Sequence, residues 1–195
     1  MTKNILIAGL LGGIAMTVWL VVSNAMLPFK SELMHKRLPL EDQLALHGAL
    51  AAHVTETGLY SVPYLPHGDE DRFPDYRDQP VYAVHYDGTT HGAGSPLSAM
   101  PFAAIFASAL LAAWMLASAG DGVRSGYLRR VLFIAAIGVI MALADDVLQM
   151  SFGPQPRDYL TFLAVNNVVT WLIAGLVIGG RIGERRPGTD AVRSG

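Results

Sequence analysis

Four long apolar stretches, with one polar segment of about 70 residues between the first and second, constrain this chain more than anything else in it. They run over residues 5–28, 100–119, 131–152 and 160–182. A helix needs about 20 apolar residues to cross a hydrocarbon core, and each stretch is near that length. The expected fold class is therefore a mainly α membrane protein. It is a four-transmembrane-helix bundle, one domain over 1–195, with an extracytoplasmic insertion over 29–98. Composition agrees: only 15% of the residues are charged, against about 25% in an ordinary soluble domain.

The first stretch has two marks of a signal peptide, a basic start at Lys3 and a small-x-small site at Ser23-Asn24-Ala25. Its apolar run exceeds the roughly 7–15 residues of a signal core, so it is expected to stay as a span. The chain has no cysteine, which excludes disulfides, thiolate metal sites and a catalytic thiol. A net charge of −2 gives no basic field for nucleic acid.

Basic residues near the span ends set the expected orientation. Lys3, Arg124, Arg129, Arg130, Arg181, Arg185, Arg186 and Arg193 fall on one side, against Asp121, Glu184 and Asp190. The other side carries six basic and eleven acidic residues, Lys30, Lys36 and Arg37 among them. The expectation is a multi-pass protein of a bacterial inner membrane, with both termini cytoplasmic and 29–98 periplasmic.

Small residues let helix backbones approach closely in lipid. Gly9 and Gly13 form one such pair in the first span, and Gly175 and Gly179 form another in the fourth. The second span carries a ridge of Ala103, Ala104, Ala107, Ser108 and Ala112. These faces serve packing inside the bundle, or dock a partner helix.

In the insertion, 38–54 reads as an amphipathic helix. Pro39, Glu41 and Asp42 suit its start, and Gly58 its stop. Leu40, Leu44, Leu50, Ala51 and Val54 share one face, with His47 in the middle as a packed imidazole or a pH-sensitive contact. His47 and His53 lie six apart and do not share a face. Two β-like runs follow, 60–65 with an edge-type Pro63, and 81–86 with Tyr82, Val84 and Tyr86 on one face and His85 on the other. Asp87-Gly88 reads as a hairpin turn leading into Thr89-Thr90-His91, and the insertion is expected to carry a small outer sheet or β hairpin beside its amphipathic helix. Between the runs, His67, Asp69, Glu70, Asp71, Asp75 and Asp78 form an acidic loop. Their spacing matches no zinc or calcium loop. The stretch 91–98 is glycine-rich and reads as irregular.

Inside the membrane, Asp145 and Asp146 are the most expensive residues, at about 2.5–3.5 kcal/mol each at a helix centre. At 1.5 Å per residue, Asp146 and Asn166 come to similar depths, about 9 Å from the outer ends of their spans. Asn167 neighbours Asn166, Gln149 lies one turn outward of the acids, and Asn24 sits near the outer end of the first span. One polar layer of Asn24, Asp145, Asp146, Gln149, Asn166 and Asn167 is expected. It acts as register-fixing hydrogen bonds or as an ion, proton or small-ligand site. No lysine lies in the spans for a Schiff base and no histidine for a haem, so no metal and no cofactor are expected.

The residues Leu38-Pro39-Leu40-Glu41 and Glu56-Thr57-Gly58-Leu59-Tyr60-Ser61-Val62-Pro63 are similar to a pattern in a family of bacterial four-helix inner-membrane proteins that has no established activity. That resemblance implies a glycine-rich first span, an outer helix followed by a Glu-x-Gly-x-Tyr-x-x-Pro element, and three further spans with an aspartate in the third. The chain departs from it at Thr55, where those proteins often carry proline. A β-bearing outer segment between spans one and two also resembles the claudin layout, without its cysteine pair.

These features lead to two expectations of function. The first is a non-enzymatic accessory or scaffolding subunit of a larger inner-membrane complex, respiratory or photosynthetic. It would contact other membrane proteins and the lipid bilayer through Leu44, His47, Leu50, Tyr60, Tyr64, Tyr82 and Tyr86, with Phe73 and Tyr76 nearby. The second is a small transporter or ligand-binding membrane protein that uses the Asp/Asn layer.

Overall fold

The computed structural model describes residues 2–26, 38–65, 72–73, 75, 78–88, 99–152 and 155–183. Outside them lie the end of the first span at 27–28, most of the acidic loop with His67, Asp69, Glu70 and Asp71, the residues 89–98, and the tail from Glu184. In chain order the elements are α1 (Thr2–Val21), continued by a π-helical turn (Val22–Met26), α2 (Leu40–His53), β1 (Gly58–Val62), β2 (Tyr82–Tyr86), α3 (Met100–Ser118) and the short α4 (Asp121–Arg124). Then come α5 (Tyr127–Met141), continued by a π-helical segment (Ala142–Val147) and an α turn (Leu148–Phe152), and α6 (Arg157–Arg181). The chain is mainly helical. Among the described residues four helices are long and apolar enough to cross a membrane, over Lys3–Asn24, Met100–Ser118, Tyr127–Ser151 and Arg157–Arg181. The chain divides into two compact units, residues 1–35 with 94–195, and residues 36–93.

In the first unit, α5 packs most extensively on α6, α1 on α3, and α1 on α6. The buried face of α3 is Ala109, Ala112, Ala113, Leu116 and Ala117, a single stripe at helical spacing. This corrects the ridge read from sequence: Ala112 is buried and Ser108 half-buried, but Ala103, Ala104 and Ala107 are exposed. The face that turns inward is set by where α1 comes closest. A Cβ at Gly9 would stand 2.7 Å from the Leu110 Cα, so only glycine permits that approach. On the other side of the bundle, a Cβ at Gly175 would stand 2.7 Å from the Val131 carbonyl oxygen of α5. Both glycine pairs therefore serve packing inside the chain, against α3 and α5.

In the second unit, Pro39 caps α2 and Glu41 and Asp42 occupy its first turn, where acids complement the helix dipole. The helix ends at His53, with Val54 extended, and not at Gly58. Gly58 opens β1. The small sheet expected in the insertion forms between the two β-like runs. β2 pairs back onto β1, antiparallel, with Gly58 opposite Tyr86, Tyr60 opposite Val84 and Val62 opposite Tyr82. Pro63 ends β1, because it has no N–H for the ladder. Asp87-Gly88 follows β2, with Gly88 in the left-handed region, and the Thr57 hydroxyl donates to the Asp87 carbonyl at 3.2 Å. The expected continuation into 89–91 lies outside the described residues. His85 is exposed, as its polar face implies.

None of the described residues of this unit is buried. Leu40 is 71% exposed, Leu44 63%, and His47 is exposed as well. The face that was expected to pack is uncovered within the unit. Fourteen residues of helix and two five-residue strands are too little chain to enclose a core of their own.

Candidate functional site: an intramembrane polar layer

The acidic pair of α5 sits in the π-helical segment Ala142–Val147. A π turn inserts an extra residue and shifts the phase of the helix. Successive residues on a helix stand about 100° apart, and the two acids meet different surroundings: Asp146 is 1% exposed and Asp145 is exposed. The Asn167 amide of α6 donates to the Asp146 Oδ2 at 2.8 Å. Asp145 instead accepts from Gln149, one turn along its own helix, at 2.6 Å.

Asn166 takes a partner from a third helix. The Trp19 indole N–H of α1 donates to the Asn166 Oδ1 at 3.0 Å, and the Thr170 hydroxyl donates to the Asn166 carbonyl at 2.6 Å. The Trp171 indole N–H reaches the Met141 thioether at 3.1 Å. The layer thus ties α1, α5 and α6. Of the residues placed in the layer, Asp146 and Asn167 meet across α5 and α6, while Asn166 turns to Trp19 of α1. Asp145 and Gln149 form a separate pair on one helix. Asn24 stays with its own helix, donating to the Leu20 carbonyl at 2.8 Å and to the Ser23 hydroxyl at 3.3 Å. Trp19, Trp171 and Met141 were missed. The available signal was the indole itself, a donor-only group that needs an acceptor wherever it is buried.

Beside the layer, between α1, α3, α5 and α6, lies a cavity of about 250 Å³ with mostly apolar walls. Met16, Ser108, Met141, Asn166, Asn167 and Trp171 line it.

A second polar cluster occupies the opposite end of the bundle. Arg124 is only 7% exposed. It donates to the Gly183 carbonyl at 2.9 Å and, through a longer bond of 3.4 Å, to the Ala117 carbonyl. Arg130 Nε donates to the Gly179 carbonyl at 2.8 Å, and the Tyr127 hydroxyl to the Leu176 carbonyl at 3.0 Å. The acceptors on Ala117, Gly179 and Gly183 lie at the C-terminal ends of α3 and α6, where the last carbonyls lack intrahelical partners and positive charge suits the helix dipole, while the Leu176 carbonyl lies further inside α6. The arginines that mark one side of the expected topology therefore double as helix caps.

No group of three His, Cys, Asp or Glu able to hold a metal occurs among the described residues. Asp75 and Asp78 of the acidic loop are exposed. Of the residues expected to contact a partner, Tyr64 is 74% and Tyr82 63% exposed. Leu44, His47 and Tyr86 are exposed too, whereas Leu50 and Tyr60 are half-buried. Comparison with known proteins finds no match, whether to a protein-family model, to a curated protein or to a solved structure.

Proposed function

We propose that this chain is a non-enzymatic accessory or scaffolding subunit of a larger bacterial inner-membrane complex, with both termini cytoplasmic and residues 29–98 periplasmic. The observation that carries the reading is the second unit. Its leucines and tyrosines have no core of their own unit to enter, so their apolar area is free to be covered by a partner, the bilayer surface or the chain's own helices. Within the bundle, Asp146 is closed off by Asn167, as suits a register-fixing bond. The respiratory or photosynthetic host remains part of the proposal. A second reading, a small transporter or ligand-binding membrane protein, is favoured by the cavity beside Asn166 and Asn167.

Leu44 and Leu50 give the test of the docking surface. Replacing both with serine removes two apolar side chains from the covered face, worth about 2–3 kcal/mol together where each is partly buried by a partner. The L44S/L50S chain should still insert, and should lose most of its partner on mild-detergent purification. Full retention of every co-purifying protein by the double variant contradicts the docking surface.

The orientation has its own test, helped by the absence of natural cysteine. In intact spheroplasts, an impermeant thiol reagent is expected to label Ser61→Cys and not Ser194→Cys. The reverse pattern contradicts the topology.

A further inference from the structure

The polar layer leaves hydrogen-bonding groups uncommitted beside the cavity. An indole N–H only donates, so Trp19 fixes which end of the Asn166 amide is its oxygen. The Asn166 NH₂ then has no acceptor among the described residues. The Asp146 Oδ2 accepts from Asn167, which leaves the Asn167 Oδ1 without a donor among them. The Ser108 hydroxyl of α3 likewise makes no hydrogen bond among them. All three residues line the same cavity. Asn166 lies nine residues into α6, about 13 Å along its axis at 1.5 Å per residue, well inside the span. Polar groups without partners at that depth cost free energy that a ligand can recover.

The rest of the lining states what kind of ligand fits. Trp171 offers a flat indole, and Met16 and Met141 offer polarizable thioethers that pack well on rings. At about 250 Å³ the cavity exceeds the roughly 150 Å³ of apolar cavities that take up benzene. Asp146 is already engaged and no cationic side chain lines the site, so nothing in it selects a charged group. We infer that the cavity binds the headgroup of a neutral, lipid-soluble ring compound with oxygen atoms on its rim, the chemistry of a membrane quinone or quinol. The Asn166 NH₂ donates to a ring carbonyl. The Asn167 Oδ1 accepts from a ring hydroxyl when one is present, and the Ser108 hydroxyl serves either form.

This site stands apart from the accessory role, since it is measured on the purified chain alone. The probe is a decyl-tailed benzoquinone titrated into the full chain in mild detergent, with Trp114→Phe as background so that Trp171, in the cavity wall, and Trp19, bonded to Asn166, report by quenching. A decyl-tailed benzene without ring oxygens is the control. Saturable quenching by the quinone and not by the control is expected. Asn166→Leu should raise the half-saturating concentration about tenfold, the loss of one hydrogen bond in an apolar site. Asn166→Leu also removes the Trp19 bond, so Ser108→Leu serves as the second variant. It breaks no hydrogen bond, fills the cavity and should abolish saturation in a chain that elutes as before. Quenching that rises linearly, that the oxygen-free control reproduces, or that Ser108→Leu leaves unchanged overturns the proposal.

Discussion

Gly175→Leu is expected to separate α5 from α6 and to destabilise the bundle by about 2–3 kcal/mol or more, the upper range for overpacking a close-packed contact. The neighbour of the added side chain is the Val131 carbonyl oxygen at 2.7 Å from the first new carbon. That atom is backbone and cannot swing aside, so the helices must move apart. In lipid there is no hydrophobic force to press them back together, because the acyl chains are as apolar as the helix faces. Gly180→Leu is the matched control on the same helix. Its nearest contact is the Tyr127 ring at 3.8 Å, an ordinary distance, and the expected change is within about 0.5 kcal/mol. Unfolding of the purified chain in a graded denaturing-detergent titration measures both. Equal effects at the two positions contradict the helix pairing.

Asn167→Leu is expected to cost more than Asp146→Leu, although the acid is the more polar group. Asp146 is almost wholly buried, and Asn167 is its hydrogen-bond partner across the helix pair. Removing Asn167 leaves a carboxyl group buried without that partner, at about 2–4 kcal/mol. Removing Asp146 leaves only the neutral Asn167 amide, half-buried, without its acceptor, and an unpaired neutral amide costs less than an unpaired buried carboxyl group. The double variant, with both groups apolar, should recover most of the loss. Recovery of most of the loss makes the coupling nearly as large as the Asn167→Leu cost, about 2–3 kcal/mol, above the roughly 0.6–1.7 kcal/mol of ordinary interhelical hydrogen bonds in membranes; that coupling, together with the asymmetry of the single variants, is the expected outcome. Additive single effects contradict the assignment of the pair.

The spans were legible because their signal is length and apolarity, which do not depend on neighbours. The second was read as 100–119 and runs Met100–Ser118. The third starts earlier than 131, at Tyr127, because Arg129 and Arg130 belong to its first turns. Their guanidiniums reach carbonyls, Arg129 that of Gly122 and Arg130 those of Gly179 and Arg124, and so do not end the helix. The match of depth between Asp146 and the Asn166–Asn167 pair was legible from counting residues inward on two consecutive, antiparallel spans. The choice between Asp145 and Asp146 was not, since it depends on which of two adjacent helix positions faces α6. Trp19 escaped notice because pairing across α1 and α6 requires knowing that those helices touch. Asn24 was assigned to the layer on its polarity and its place near the outer end of the first span, but a carbonyl four residues back on its own helix was the nearer acceptor. The two strands were legible as β-like runs, but their register was not. The pairing of β1 with β2 spans more than twenty residues of chain and depends on which side chains meet across the sheet.

Native mass measurement of the untagged, unmutated chain released in mild detergent tests the proposed assembly. A complex is expected in which the chain is joined, at fixed stoichiometry, by a second and different integral membrane protein, and from which L44S/L50S dissociates. A wild-type chain that flies only as a solitary monomer, with every other membrane protein absent from its mass, contradicts the accessory-subunit reading.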